Sequence, residues 1–350
     1  MFWRSWLLPM SRRAASTLAH GPDVVSWTPR VCDIVRSLVP SLDYASHKGQ
    51  GGRVAVLGGS IEYTGAPFYA AAATLQVGAD LAWVFSSNSA ANAIKSYSPE
   101  LIVIPCYDEA ADDDAVSDAI FGRLAEWLPR MHCLVLGPGL GRREAVLDGA
   151  ARVLTLAARQ YKLPVIIDAD ALFFLRSRPE LVYGCANVIL TPNAAEFEGL
   201  CQSLGAEIDS TLPQEVRESR KLMELCRILD GVTVIKKGRV DLISDGVSVL
   251  AVDETSSPRR CGGLGDLLSG TAAVFALWAS RANTAAGGDD AAIKPQLWAA
   301  YAACVASRRA AKSAFATKKR SMTAPDVLAH LGAAFEAMVP TEVVDTDPPQ

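Results

Sequence analysis

The segment Cys261-Gly262-Gly263-Leu264-Gly265-Asp266 runs straight into an apolar stretch of helical length. Glycines at such a junction let the backbone approach a phosphate closely, and the helix start behind them offers unpaired N–H groups and a positive dipole end. A carboxylate beside an anion site is unfavourable unless it has a task of its own. Accepting the proton of a hydroxyl that attacks a nucleotide's terminal phosphate is such a task for Asp266; capping the helix is the plainer alternative. In Thr191-Pro192-Asn193-Ala194-Ala195-Glu196-Phe197, Asn193 and Glu196 stand about one helical turn apart and share a face. Glu196 either holds Mg²⁺ through water or closes a capping box. Gly137-Pro138-Gly139-Leu140-Gly141 reads as a second glycine-rich turn, either a tight reversal or a close approach to ligand. Lys237 meets a nucleotide phosphate or faces water. Asp168 and Asp170 bind a metal indirectly or orient loops.

Such residues need strand ends and helix starts to hold them, and the aliphatic pattern supplies both. Runs at 54–57, 81–85, 101–104, 134–136, 165–167 and 188–190 read as strands; 67–77, 115–128, 145–161 and 195–204 between them read as helices. Continuous apolar strands separated by helices indicate a mainly parallel sheet flanked by helices on both faces. Ligands gather outside the carboxyl ends of such strands. The rhythm then changes. Runs at 232–236, 240–244 and 247–252 predict an antiparallel hairpin region near the C-terminal third, turning at Lys237-Gly238 and Asp245-Gly246. Helices follow over 264–280, 296–316 and 324–338, the first two separated by a Gly/Asp/Ala-rich loop at 283–292 expected to be mobile. No repeat or linker divides residues 23–340, which predicts one α/β domain followed by a flexible acidic tail at 341–350.

Half of the 350 residues are hydrophobic and 21 % are charged, a composition that argues against global disorder. Thirty-four basic against thirty-eight acidic residues leave a net charge of −4, too balanced to advertise nucleic-acid or acidic-membrane binding. The longest uncharged apolar stretch, 267–280, is shorter than the ~18–20 residues of a membrane span. Eight cysteines are scattered singly, which offers neither a zinc knuckle nor a redox pair and suits a reducing, intracellular compartment. Four histidines without HExxH leave little for a histidine metal site or a serine triad. Residues 1–22 carry Arg4, Arg12 and Arg13 with Ser5, Ser11, Ser16 and Thr17 and no acid. That composition reads as an organellar presequence or a disordered extension. Met10 is a second possible start, so the expected location is mitochondrial, cytoplasmic or both.

Several segments in one order carry a resemblance. They are His47-Lys48-Gly49-Gln50, Glu62-Tyr63-Thr64-Gly65-Ala66-Pro67, Tyr97-Ser98-Pro99-Glu100, Gly137 to Arg142, Ile167-Asp168-Ala169-Asp170, the Asn193 to Glu196 segment, and Arg259 through Gly270. From about His47 to Phe335 the chain resembles the ribokinase-like superfamily, and within it the ATP-dependent NAD(P)H-hydrate dehydratase family of the eukaryotic kind. The resemblance implies a ribokinase-like α/β fold. It also implies ATP-dependent dehydration of the S epimer of hydrated NADH or NADPH (NADHX, NADPHX). The C6 hydroxyl is phosphorylated and then eliminated, releasing ADP and phosphate. It implies Asp266 as the catalytic base. The hydrated dinucleotide would meet Gly139, Asn193, Ala194, Ala195, Glu196, Phe197, Glu198, Gly199 and Asp266. ATP would meet Lys237, Gly238, Arg239, Val240 and Asp241, then Ser256, Ser257, Pro258, Arg259, Arg260, Cys261, Gly262, Gly263, Leu264 and Gly265. Mg²⁺ would sit near Glu196 through water. Leu264 stands where the family often has a polar residue. A separate epimerase is the implied functional partner, and a homo-oligomer is possible within such a family. Competing expectations are a ribokinase-like kinase for a hydroxymethylpyrimidine, thiazole or sugar, ADP as donor, and a catalytically silent nucleotide-binding protein.

Overall fold

The computed structural model describes residues 23–208, 211–282 and 295–344. The expectations for residues 1–22, for the 283–292 loop and for residues 345–350 lie outside them. The chain opens with β1 (Asp23–Val25), α1 (Pro29–Arg36) and β2 (Leu42–Asp43), and then alternates through β3 (Arg53–Leu57), α2 (Gly65–Val77), β4 (Leu81–Ser87), α3 (Asn88–Lys95), β5 (Ile102–Tyr107), α4 (Asp113–Trp127), β6 (Cys133–Leu136), α5 (Glu144–Thr155), β7 (Val165–Ile167), α6 (Asp170–Leu175), β8 (Val188–Leu190), α7 (Ala194–Leu204) and α8 (Gln214–Ile228). It closes with β9 (Thr233–Lys236), β10 (Asp241–Ser244), β11 (Val249–Val252), α9 (Leu264–Arg281), α10 (Pro295–Lys318), α11 (Ala324–Met338) and β12 (Val343–Val344).

Ten strands form one sheet in the order β1-β11-β10-β9-β8-β7-β6-β3-β4-β5. From β9 to β5 the pairs are parallel, while β10 runs antiparallel to both β9 and β11. Strand alternation explains two cores. In β3, Val54 and Val56 face the α2, α9, α10 and α11 layer, whereas Ala55 and Leu57 face the α4, α5, α6, α7 and α8 layer. With both faces covered, the central strands read as unbroken apolar runs. After β3 the chain moves outward to β4 and β5, then returns to place β6 on the other side of β3. A crevice therefore opens outside the carboxyl ends of β3 and β6, where the strand order reverses.

Both hairpin loops contain four residues, where the expected strand bounds left three in the first and two in the second. In the second, the Asp245 carboxylate accepts from the N–H groups of Val247 and Ser248, each at 2.9 Å, and so delays β11. Residues 341–344, expected to be loose, are tied down. Val343 and Val344 pair in parallel with Leu42 and Asp43, and the Glu336 carboxylate accepts from the Thr341 N–H at 2.9 Å. The eight cysteines are all free, as expected of reduced thiols. Among the described residues no helix is long and apolar enough to cross a membrane.

Candidate active site

The site begins at the ends of β6 and β7. Gly137, straight after β6, has φ +116°, and a Cβ there would lie 2.0 Å from the Asp168 carbonyl oxygen. Only glycine permits that approach. Beyond β7, Ala169 holds φ 49° and ψ −121°, an uncommon conformation for a residue with a Cβ. This reversal sends its neighbours to different partners. Asp170 accepts from the Gly141 N–H at 3.0 Å and from Arg142 Nε at 3.1 Å, so it orients the glycine-rich loop. Asp168, whose side chain is 3 % exposed, accepts from Lys237 Nζ at 2.9 Å.

Lys237 leaves β9 and reaches beneath the first turn of α9, with Nζ 3.2 Å from where a Cβ would stand on Gly265. Gly263, at φ 91°, is the capping residue of that helix, which has no side-chain cap. The open N–H groups of the helix start are therefore offered to an anion. Asp266 falls at the third helical position, not at the cap. Burial, reinforced by the negative charge of Asp168 and opposed by Lys237, pushes its carboxyl up to about 7. Burial disfavours the charge on Lys237, but Asp168, Glu196 and Asp266 together outweigh that and hold the ammonium above its ordinary value. A carboxylate poised near neutrality and fixed beside a cation and an open helix start is equipped to accept a proton next to a phosphate.

The Asn193 segment realises the capping-box alternative. The Asn193 side chain accepts from the N–H groups of Ala195 and Glu196, and Glu196 Oε2 accepts from the Asn193 N–H at 2.8 Å. Burial raises the Glu196 carboxyl, against the pull of the Asn193 N–H and Lys237. The first turn of α7 thus faces Lys237. The next residues are directed elsewhere. Phe197 is buried in the core, Glu198 pairs with Lys221 at 2.7 Å, and Gly199 abuts the Arg176 guanidinium. These three residues do not converge on Asp266, because a helix turns successive residues away from one face.

A cleft of about 430 Å³ opens beside Lys237. Among the residues expected at ATP, Lys237, Gly238, Arg239, Asp241, Ser256, Arg260, Cys261, Leu264 and Gly265 line it. Val240, Ser257, Pro258, Arg259, Gly262 and Gly263 do not line this cleft; Ser257 instead holds the approach loop by accepting from the Arg259 N–H at 2.9 Å. The Asp241 carboxylate is committed to Arg308 Nε at 2.6 Å and to the Gly238 N–H at 2.9 Å. Sequence reasoning missed Leu267 and Leu268 of α9, Cys304, Ser307, Arg308 and Ala311 of α10 and Val327 of α11, which complete the lining. On α10, the i, i+3, i+4, i+7 spacing marks one helical face, a signal that an alanine-rich core helix also gives.

On the crevice side, a Cβ on Gly139 would lie 2.7 Å from the Tyr63 carbonyl oxygen. Tyr69 was also missed. Its ring lies 3.0 Å from where a Cβ would stand on Gly263, and burial, then the Asp266 charge, raise its hydroxyl. Tyr97 reaches Thr64 at 2.7 Å and stacks edge-on with Phe68, extending this aromatic wall. Another cavity, of about 770 Å³, lies outside the amino ends of β3 and β4 and is bordered by His47, Lys48 and Gln50. Asp80 accepts there from the Gly49 and Gly51 N–H groups at 2.7 and 2.9 Å. The His47-Lys48-Gly49-Gln50 segment therefore shapes a turn at the end of the sheet away from Asp266.

The sequence matches the NAD(P)H-hydrate dehydratase family over residues 54–332. It is 43 % identical over 301 residues to the ATP-dependent (S)-NAD(P)H-hydrate dehydratase of Ciona intestinalis, covering 86 % of this chain and 79 % of that protein. To the Bos taurus protein of the same name it is 42 % identical over 331 residues, 94 % of this chain and 95 % of the relative. The fold is similar to the crystal structure of the Bacillus subtilis ADP/ATP-dependent NAD(P)H-hydrate dehydratase co-crystallized with ATP and Mg²⁺. That similarity has a TM-score of 0.61 and 21 % identity over 90 % of this chain and 99 % of that one. A ribokinase-like superfamily protein of Enterococcus faecalis gives a TM-score of 0.66 at 18 % identity, covering 91 % of this chain and 97 % of that one. A pattern matched across most of the chain, together with relatives above 40 % identity along nearly its whole length, leads to one conclusion: this chain belongs to the NAD(P)H-hydrate dehydratase family.

Proposed function

We propose that this protein restores hydrated nicotinamide cofactors, using ATP to dehydrate the S epimer of NADHX and NADPHX to NADH and NADPH. The observation that carries the proposal is Asp266 on the first turn of α9, its proton affinity raised to neutrality beside Lys237 and an open helix start. A hydrated nicotinamide ring carries a hydroxyl at C6, and hydroxide is a poor leaving group. Asp266 accepts that hydroxyl's proton as the oxygen attacks the γ-phosphorus of ATP, and ADP departs. The α9 amides and Lys237 stabilise the charge on the transferred group. The ring nitrogen's lone pair then expels phosphate, the C5 proton is lost, and the conjugated ring returns. The glycine-rich 137–141 turn and the first turn of α7 hold the dinucleotide; the cleft between α9, α10 and α11 holds ATP.

Among the described residues no three His, Cys, Asp or Glu side chains gather as a metal cage. That fits a cation carried by the nucleotide, because Mg²⁺ takes one or two carboxylates plus phosphates and keeps several waters. Glu196, with Oε2 held by the cap, is the carboxylate that would hold it through water. When bound, Mg²⁺ neutralises phosphate charge.

We further read residues 1–22 as an organellar address, with Met10 as a start for a cytoplasmic form; fusing this segment from Met1 or from Met10 to a fluorescent protein tests it. The epimer-converting partner is taken to be a separate protein, and assembly into a homo-oligomer is tested by light scattering. The central experiment incubates the purified chain with acid-hydrated NADH, Mg²⁺ and either ATP or ADP. Recovery of the reduced ring's near-ultraviolet absorbance, with one phosphate released per ring and preference for ATP, is expected. A stable phosphorylated product, as from a sugar or pyrimidine kinase, refutes it.

A further inference from the structure

Hydroxyls on the buried helices normally spend themselves on their own helix. Ser269, Thr271 and Ser280 on α9 donate to the carbonyls of Asp266, Leu267 and Leu277, and Thr317 on α10 donates to Ala314. Ser307 departs from that habit. Its Oγ is buried and has no hydrogen-bond partner. Leaving a buried polar group unpaired is destabilising, so such an atom calls for an explanation, a missing ligand among them. Of the eight buried side-chain polar atoms without a partner among the described residues, Ser307 Oγ belongs to a residue that lines the nucleotide cleft.

Its neighbours say what that ligand is. Cys304, Ser307 and Ala311 form one stripe of α10, and Leu264 and Leu268 of α9 with Val327 of α11 line the same space. Of the cations that line the cleft, Lys237 lies beneath the α9 start, while Arg308, next to Ser307, is committed to Asp241 and to the carbonyls of Gly238, Arg239 and Glu254. Phosphates belong at the α9 start, which leaves the apolar part for a planar base whose faces are greasy and whose edge forms hydrogen bonds. A serine hydroxyl both donates and accepts, so it suits the amine and ring nitrogen that adenine presents on one edge.

We infer that Ser307 reads the edge of the ATP base and is a specificity-determining residue of the nucleotide site. The inference rests on the ATP-dependent function proposed above. Its test compares wild type, Ser307→Ala and Ser307→Thr by steady-state kinetics with ATP and NADHX, and by melting without ligand. A hydrogen bond of ordinary strength makes Ser307→Ala raise KM for ATP roughly 3- to 10-fold. The turnover number, KM for NADHX and inhibition by inorganic tripolyphosphate, which lacks a base, stay at wild-type values, and Ser307→Thr restores KM. The ligand-free alanine variant melts no lower than wild type, because it has lost only an unpaired hydroxyl. A KM for ATP within twofold of wild type overturns the inference. So does a rise accompanied by a lower ligand-free melting point and weaker tripolyphosphate inhibition, the signature of a merely structural role. Wild-type protein that fails to use ATP at all would instead remove the functional reading itself.

Discussion

At the scale of single residues, one carboxyl is tuned by the charges and the burial around it. Burial and Asp168 raise Asp266 to about 7, whereas an unfolded chain ionises it near the ordinary aspartate value of 3.8. As a base it must be ionised, so kcat/KM should climb with pH and level off above about 7. Asp266→Asn should lower turnover by about 10²- to 10⁴-fold while ATP still raises the melting point; turnover near wild type would remove Asp266 from proton transfer. The same tuning links to stability. A group whose folded pKa lies above its unfolded one stabilises the fold below the unfolded value and loses that contribution as pH rises to the folded value. The Asn variant should therefore melt above wild type at pH 8, with the gap shrinking as pH falls from 7 towards 4. Removing the Asp168 charge takes away the second cause of the upward shift and leaves Lys237 closer to undivided for Asp266. Asp168→Asn should move the acid limb of the rate profile below 7, and an unmoved limb would show that Asp168 does not set the proton affinity of Asp266. The sequence disclosed the identities of Asp266, Asp168 and Lys237 but not their connection. Sixty-nine residues separate Asp168 from Lys237, and only the parallel neighbours β7, β8 and β9 bring their ends together.

At the scale of elements, the legible parts were those with strong local pattern. The strands 165–167 and 188–190 and the helix 324–338 have the bounds expected of them, because an apolar run or an amphipathic face ends where a turn residue begins. Illegible were elements too short or too weakly apolar to stand out, such as β1, the β2–β12 pair and α3 in its run of Asn, Ser and Ala, and also α8, whose buried face at Ser219, Leu222, Met223 and Cys226 is interrupted by charges. Least legible was the support of the 237–241 loop. Arg308, 7 % exposed, comes from α10 and donates to the carbonyls of Gly238, Arg239 and Glu254 as well as to Asp241. One guanidinium therefore holds the loop that presents Lys237. Replacing one partner of a buried ion pair strands the other, at a cost of about 3–5 kcal/mol. Arg308→Met should lower stability by that order and raise KM for ATP through a slackened loop. Adding Asp241→Asn should recover part of the stability, since the stranded charge is gone, but not the nucleotide affinity, since the carbonyls stay unheld. Chemical denaturation of the two single variants and the double variant decides it; strictly additive losses would mean the pair is not coupled.

At the scale of the whole molecule, the question is what closes the sheet beside the nucleotide cleft. β11 is covered by β1 through the pairs Asp23 with Leu250, Val24 with Ala251 and Val25 with Val252. The same short segment reaches the helical layer. Tyr301 of α10 donates to the Val25 carbonyl at 2.8 Å, the Trp27 ring stacks on Tyr301 with centroids 6.4 Å apart, and Arg309 lies over Trp27. Arg309 also pairs with Glu254, on the chain that leads from β11 to the glycine-rich approach. Residues 23–27 thus clamp β11 to α10, the helix that carries Ser307 and Arg308. A chain starting at residue 23 should keep wild-type kinetics and melting point, if 1–22 is only an address. A chain starting at residue 29 loses the edge strand and the Trp27 stack, which costs about 0.5–1.5 kcal/mol for the aromatic contact alone. It also bares the backbone of β11, an open template for pairing with other chains. That shorter protein should melt lower, aggregate on heating and bind ATP more weakly, while its base still titrates near 7, because Asp266 owes its tuning to β7 and β9 and not to the sheet edge. Equal melting points for the two truncations would show that the clamp is incidental.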